Sequence, residues 1–313
     1  MKNKINQIEG IVVSKKANYL FVDIDTNHLS TNILEDLDIE VSSRLLCTQR
    51  SRLAYSESFV SVGDRVLVEA ISFSKATGVV CKIFPRSSFF ERPPVANITN
   101  IFVLISLDQP RFDYDQASRF LLTAENTRQK VSLILTKKDL ITQNLLNQYL
   151  DRLNQWGYNP YPISVKTGDG VQKLKNTLTN SKIGVFCGPS GAGKSSLLNY
   201  LLPYASIPVG DLSKKLSRGK HTTRNVELFQ LTNNSLIADT PGFNRPEIDI
   251  DPKELAFLFP EIRQQIHTNR CKFRDCLHLG EPGCALDKKF ERYSNYKQFL
   301  KLMINRRRQY QAG

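Results

Sequence analysis

The chain lacks any apolar run near the roughly 20 residues that a membrane-spanning helix needs. Its opening Met1-Lys2-Asn3-Lys4 is not followed by the apolar core of a secretory signal. A soluble, cytoplasmic protein with no membrane attachment is the expectation. Acid is also short: 30 Asp and Glu face 43 Lys and Arg, a formal charge of +13 at pH 7. Such an excess points to a polyanionic partner, nucleic acid before a membrane surface, with a merely basic solvated surface as the alternative. Residues 252–313 alone carry 13 Lys/Arg against 6 Asp/Glu. The six cysteines do not form a disulfide framework. Cys47, Cys81 and Cys187 stand alone, and the other three fall within fourteen residues, a pattern of metal binding in a reducing compartment. Histidine is scarce, with four residues. His28 and His267 read as ordinary surface groups, which leaves His221 and His278 to account for.

What is present begins with a phosphate-binding loop. Gly188, Pro189, Ser190, Gly191, Ala192, Gly193, Lys194 and Ser195 form a complete Walker-type run, with Ser196 next. Its glycines let successive backbone N–H groups turn inward around phosphates, Lys194 reaches the β and γ oxygens, and the Ser195 hydroxyl faces Mg²⁺. The apolar run 183–187 predicts a buried strand before the loop, and 195–202 predicts a helix after it.

The rest of a guanine-nucleotide site lies out of its usual order. Strand-like 101–107, a helix near 116–126 and the strand-like 131–135 lead into Thr136-Lys137-Lys138-Asp139. This tetrad resembles the base-reading motif of Ras-like GTPases, in which the Asp carboxylate accepts from N1–H and the exocyclic amine of guanine. Thr136 replaces the commoner Asn, so a bracing amide contact is either lost or remade by a hydroxyl. A helix near 141–156 and a strand over 161–165 follow. Ser164-Val165-Lys166 then stands where a Ser-Ala-Lys motif closes over the base. Downstream of the P-loop, the basic loop 218–224 resembles switch I, with Thr223 favoured over Thr222 as a Mg²⁺ ligand. A hairpin-like pair, 226–231 and 235–238, ends in Asp239-Thr240-Pro241-Gly242. There Asp239 orients Mg²⁺ through water and the Gly242 amide meets the γ-phosphate. The motif order is fourth, fifth, first, second, third. That is a circular permutation, permitted because the parent termini lie close together at the surface, with 169–180 as the former last helix.

Cys271-x₄-Cys276-x-His278-x₅-Cys284 offers three thiolates and one imidazole. A closed Cys₃His set suits one tetrahedral, structural Zn²⁺. At the other end, five short strand patterns before residue 90 suggest a small barrel of OB type, an oligonucleotide platform, with Arg44, Arg50 and Arg52 on one loop. The fold class expected is multi-domain α/β. An OB-type barrel spans 1–92, a circularly permuted Ras-like P-loop GTPase domain 93–248, and a zinc-binding helical domain with a basic helix 249–313.

With these pieces in this order, the sequence resembles the small-ribosomal-subunit-dependent GTPases of the RsgA/YjeQ family, over nearly its whole length. The resemblance implies a late assembly factor that binds the 30S subunit and its 16S rRNA near the decoding region. It would hydrolyse GTP to GDP when stimulated by that subunit and leave on maturation, most simply as a monomer. In Ras-like enzymes a Gln just after Asp-x-x-Gly orients the attacking water; here that position is Phe243. His221 is then the candidate in cis, with contact to rRNA or plain packing as its other possible roles. Gly191 stands where potassium-activated GTPases carry Asn. An RNA-binding scaffold that seldom hydrolyses its nucleotide, and a P-loop ATPase or kinase, are the competing readings.

Overall fold

The computed structural model describes residues 7–24, 44–54, 59–91, 94–204, 226–232, 235–239 and 250–311. The chain falls into two compact units: residues 1–100, 178–186 and 201–243 form one, and residues 101–177, 187–200 and 244–313 the other.

In the first unit, β1 (Gln7–Lys16), β2 (Tyr19–Ile24), β3 (Arg44–Gln49), β4 (Arg65–Ser72) and β5 (Thr77–Ile83) close into a barrel. β1 pairs with both β2 and β4, β2 with β3, β3 in parallel with β5, and β5 with β4, so no edge is left open. Alternation of buried and exposed residues along β1 and β3 sends Ile8, Val12, Leu45 and Cys47 into the interior with Leu20, Val22, Val66, Val68 and Val80. Gly10 lets β1 serve two neighbours, because a Cβ there would lie 2.6 Å from Val22 and 2.8 Å from the Asp23 carbonyl. β1 also meets β12 (Glu227–Thr232), which forms a hairpin with β13 (Ser235–Asp239); β13 runs parallel to β11 (Ile183–Cys187). The expected five-stranded barrel and the hairpin are both present.

The loop expected to carry Arg44, Arg50 and Arg52 is different. Arg44 lies within β3 and grips Asp23 of β2 through two bonds of 2.6 and 3.0 Å, while Arg50 pairs with Glu69 of β4. Cross-strand carboxylates recruit both guanidinium groups to the barrel.

In the second unit β8 (Asn100–Ser106), buried along its length, lies beside β9 (Lys130–Thr136), and β9 runs parallel to β10 (Tyr161–Pro162). β6 (Phe89–Glu91) and β7 (Pro94–Ala96), which belong to the first unit, form a separate short hairpin that precedes β8 in the chain. Helix α1 (Tyr114–Asn126) starts at Asp113, whose carboxylate accepts from the amides of Asp115 and Gln116. Helix α2 (Gln143–Gln155) starts at Thr142 in the same manner. α3 (Val171–Thr179) precedes β11, and α4 (Lys194–Leu201) follows it. The strand expected over 161–165 stops after two residues. Pro162 has no N–H to donate, and the Ser164 amide turns away to the Asp169 carbonyl at 2.9 Å.

The C-terminal part, α5 (Pro260–Thr268) and α6 (Tyr293–Gln311), shares its core with α1: Leu122 packs with Leu255, Phe259, Ile262, Tyr296, Phe299 and Leu300. The largest fully buried side chain is Arg292. Its guanidinium donates to both oxygens of Glu261 at 2.7 and 2.5 Å and to the Ser118 hydroxyl at 3.4 Å, with its carbon 4.5 Å from the Trp156 ring centre. Among the described residues no helix is long and apolar enough to cross a membrane.

Candidate functional site

β11 is buried throughout and ends at Cys187, and α4 begins at Lys194, so the glycine-rich loop joins a strand to a helix N-terminus as the sequence predicts. Gly188, Gly191 and Gly193 have φ of 141°, 80° and 88°, a backbone that favours glycine. Gly188 is also sterically obligatory: a Cβ would sit 2.1 Å from the Leu104 carbonyl of β8. The Lys194 ammonium donates to the Gly188 carbonyl at 2.7 Å and the Pro189 carbonyl at 2.8 Å. Ser195 and Ser196 are half-buried in the first turn of α4. Burial pushes the Cys187 thiol up to about 12 against the opposing pull of Lys194, so it stays neutral and is no nucleophile.

The Thr136-Lys137-Lys138-Asp139 tetrad closes β9 and reaches into this loop. The buried Thr136 hydroxyl donates to the Ala192 carbonyl at 2.8 Å. The bracing contact is thus remade by the hydroxyl. Lys137 adopts a left-handed backbone, φ 60°, and its ammonium donates to the Gln109 carbonyl. Lys138 accepts a place against the following loop: its amide donates to the Ile163 carbonyl at 3.1 Å, and its ammonium pairs with Asp169 at 2.5 Å. Asp139 stands exposed in the 3-10 turn Lys138–Leu140. Ser164 is fully buried, and its hydroxyl accepts from the Thr167 amide; Val165 is half-buried and Lys166 exposed. Asp239 ends β13. His221, Thr223, Gly242 and Phe243 lie outside the described residues.

The four residues expected to hold a metal converge. Their ligand atoms all lie within 4.8 Å of one another, with His278 Nδ1 3.6, 3.7 and 3.5 Å from the sulfurs of Cys271, Cys276 and Cys284. Tetrahedral Zn–S and Zn–N bonds imply a sulfur-to-nitrogen edge of about 3.5 Å, so the donor set fits. Burial, with hydrogen bonds to Cys284 and Cys271, pushes the Cys276 thiol up to about 12. A bound cation would offset that burial and hold the Cys276 sulfur as a thiolate.

The knuckle is built tightly. His278 has φ 59°, and its carbonyl accepts from Tyr293 Oη at 2.9 Å; the Leu277 carbonyl accepts from Tyr296 Oη at 2.9 Å. The Ala285 amide donates to Cys271 Sγ at 3.3 Å. The Glu281 carboxylate accepts from the amides of Leu277, Leu279 and Gly280 at 2.8–3.0 Å. Burial works against its ionisation, yet these amides and its own hold it at about 2. Sequence reasoning missed Glu281 and Asp169. Each is an acid next to glycine, in Gly280-Glu281 and in Gly168-Asp169-Gly170, the one signal available.

Comparison with known proteins agrees with this layout. Residues 83–249 match the family described as RsgA GTPase. A protein of Prochlorococcus marinus named small ribosomal subunit biogenesis GTPase RsgA is 53% identical over 300 residues, covering 96% of this chain and 97% of that one. One of the same name from Synechococcus sp. is 48% identical over 304 residues, covering 97% of each. The crystal structure of YjeQ from Thermotoga maritima superposes with a TM-score of 0.76 at 26% identity, over 95% of this chain and 99% of that one. YloQ, described as a circularly permuted GTPase, gives 0.76 at 29% identity over 98% of each. This chain's strand-loop-helix phosphate loop, closed barrel and Cys₃His cluster stand beside these likenesses, and the chain belongs to the RsgA GTPase family.

Proposed function

We propose that this chain is a GTP hydrolase that acts in biogenesis of the small ribosomal subunit, binding the 30S particle through its 16S rRNA in the cytoplasm as a monomer and releasing GDP and phosphate. One observation carries the nucleotide part. The Thr136 hydroxyl is bonded to the Ala192 carbonyl, 56 positions along the chain, which joins the base-reading tetrad to the phosphate loop. Asp139 reads guanine, Thr136, Lys137 and Lys138 shape the base loop, and Ser164, Val165 and Lys166 close over the ring. Gly188, Pro189, Ser190, Gly191, Ala192, Gly193, Lys194, Ser195 and Ser196 take the phosphates. Ser195 and Asp239 hold Mg²⁺ with Thr223, and Gly242 meets the γ-phosphate. Bound Mg²⁺ neutralises charge on the β- and γ-phosphate oxygens.

Phe243 offers no polar atom to orient water, so His221 in the switch loop is assigned that role once the subunit orders it. The four-residue cluster Cys271, Cys276, His278 and Cys284 takes one structural zinc. Three working regions follow: an RNA-binding barrel over 1–92, the permuted GTPase domain over 93–248, and the zinc region with its basic helix over 249–313. The basic excess of 252–313, with Arg306, Arg307 and Arg308 near the end of α6, supports an RNA partner.

Phe243 also favours a second reading, a scaffold that holds GTP without turning it over. Competition among GTP, ATP and xanthosine triphosphate for the purified chain, with hydrolysis followed alongside, tests the assignment. Guanine preference, and loss of nucleotide binding in Lys194→Ala, are the expected results; equal affinity for ATP would remove the proposal.

A further inference from the structure

We infer that the Lys138–Asp169 ion pair is a clamp that sets the guanine slot, with Asp169 as a positioning residue that acts through Lys138. The inference rests on the guanine reading of Asp139. Three consecutive residues of the tetrad are each tied to a different loop. Thr136 holds Ala192 of the phosphate loop, Lys137 holds the Gln109 carbonyl, and Lys138 holds Asp169 at 2.5 Å. Only the last of these ties is ionic.

Asp169 is placed for it by its own loop. Its carbonyl accepts from the Ser164 amide at 2.9 Å, and the Gly168 amide donates to the Ser164 carbonyl at 2.9 Å. Flanking Gly168 and Gly170 have φ of 79° and 77°, and a Cβ on Gly170 would lie 2.3 Å from the Pro162 carbonyl. The backbone of this turn is therefore held in place, with the Asp169 carboxylate at the ammonium of the lysine next to Asp139. The Lys138 side chain is 22% exposed and that of Asp169 61%, so the pair is shielded from water on the lysine side alone. With the Lys138 amide bonded to the Ile163 carbonyl at 3.1 Å, the pair is the second of two links that fix the spacing between Asp139 and 164–166. A ring gripped between those loops leaves only when they part, so the clamp acts on release more than on capture.

Stopped-flow release of a fluorescent GDP analogue from the full-length protein tests this, using Lys138→Met, Asp169→Asn, the double variant and the swapped pair Lys138→Asp/Asp169→Lys, with thermal unfolding as a control. Each single variant is expected to speed release about two- to fivefold, the scale of one partly shielded pair. The double variant should be no faster than either single one, and the swap should restore slow release. Multiplicative effects in the double variant, or release unchanged in both single variants while wild type still prefers GDP to ADP, overturn the clamp alone. A wild-type protein without that preference overturns the clamp and the guanine assignment together.

Discussion

Asp139 and Thr136, at the two ends of the tetrad that closes β9, present an exposed carboxylate and a buried hydroxyl. On the guanine reading proposed above, Asp139→Asn exchanges one of the two carboxylate acceptors offered to N1–H and the amine for an N–H donor. It should cost on the order of 1–3 kcal/mol of GTP binding and shift preference toward xanthosine nucleotides, as read by competition binding. Thr136→Val should act on the protein itself. It strips the donor from the Ala192 carbonyl in a site 1% exposed, so denaturant unfolding should show a loss of about 1–3 kcal/mol. The place of the tetrad at the end of a strand was legible in the sequence, because an apolar run leads into it. The partner of Thr136 was not, because it lies 56 positions away and only the folded chain selects it. Asp169 was hidden for the same reason, an acid between two glycines being a common turn.

Among the elements, the phosphate loop depends on close approach of β8. Gly188→Ala would drive a methyl group onto the Leu104 carbonyl, and with φ at 141° the position resists any side chain. Nucleotide binding should fall at least as far as in Lys194→Ala, measured by the same competition. The Cys₃His cluster is bound into α6 through Tyr293 and Tyr296, whose hydroxyls hold the His278 and Leu277 carbonyls. Tyr296 in turn packs against Phe259 and shares its core with Leu122 of α1. Removal of zinc by a chelator, or Cys276→Ala, should therefore raise hydrogen exchange in α6 and on into α1, because metal binding here is folding energy. The barrel strands, the P-loop strand and the Cys₃His spacing could be read from periodicity and motif alone. The short β10 and the pairing of Arg44 and Arg50 could not. The first is set by Pro162 and the turn at Ser164, the second by carboxylates on neighbouring strands.

At the scale of the whole molecule, the buried Arg292–Glu261 pair ties α5 and α6 to Ser118 of α1 and to Trp156 beyond α2. Arg292→Met would leave a carboxylate uncompensated in the interior and should destabilise the second unit by about 3–5 kcal/mol. The permutation matters at this scale as well. In sequence the segment after Asp239 leads directly into the C-terminal part, which holds the Cys₃His cluster and the basic helix. With Phe243 in place of a water-orienting glutamine, slow turnover in isolation and activation by a large polyanionic partner are the expected behaviour. The central claim is met most directly by GTP hydrolysis measured under single-turnover conditions with and without purified 30S subunits, for wild type and His221→Ala. The account predicts slow hydrolysis by the free protein, a large rise with 30S subunits, and loss of most of that rise in His221→Ala with GTP and subunit binding intact. Hydrolysis by wild type that is indifferent to added subunits would contradict it.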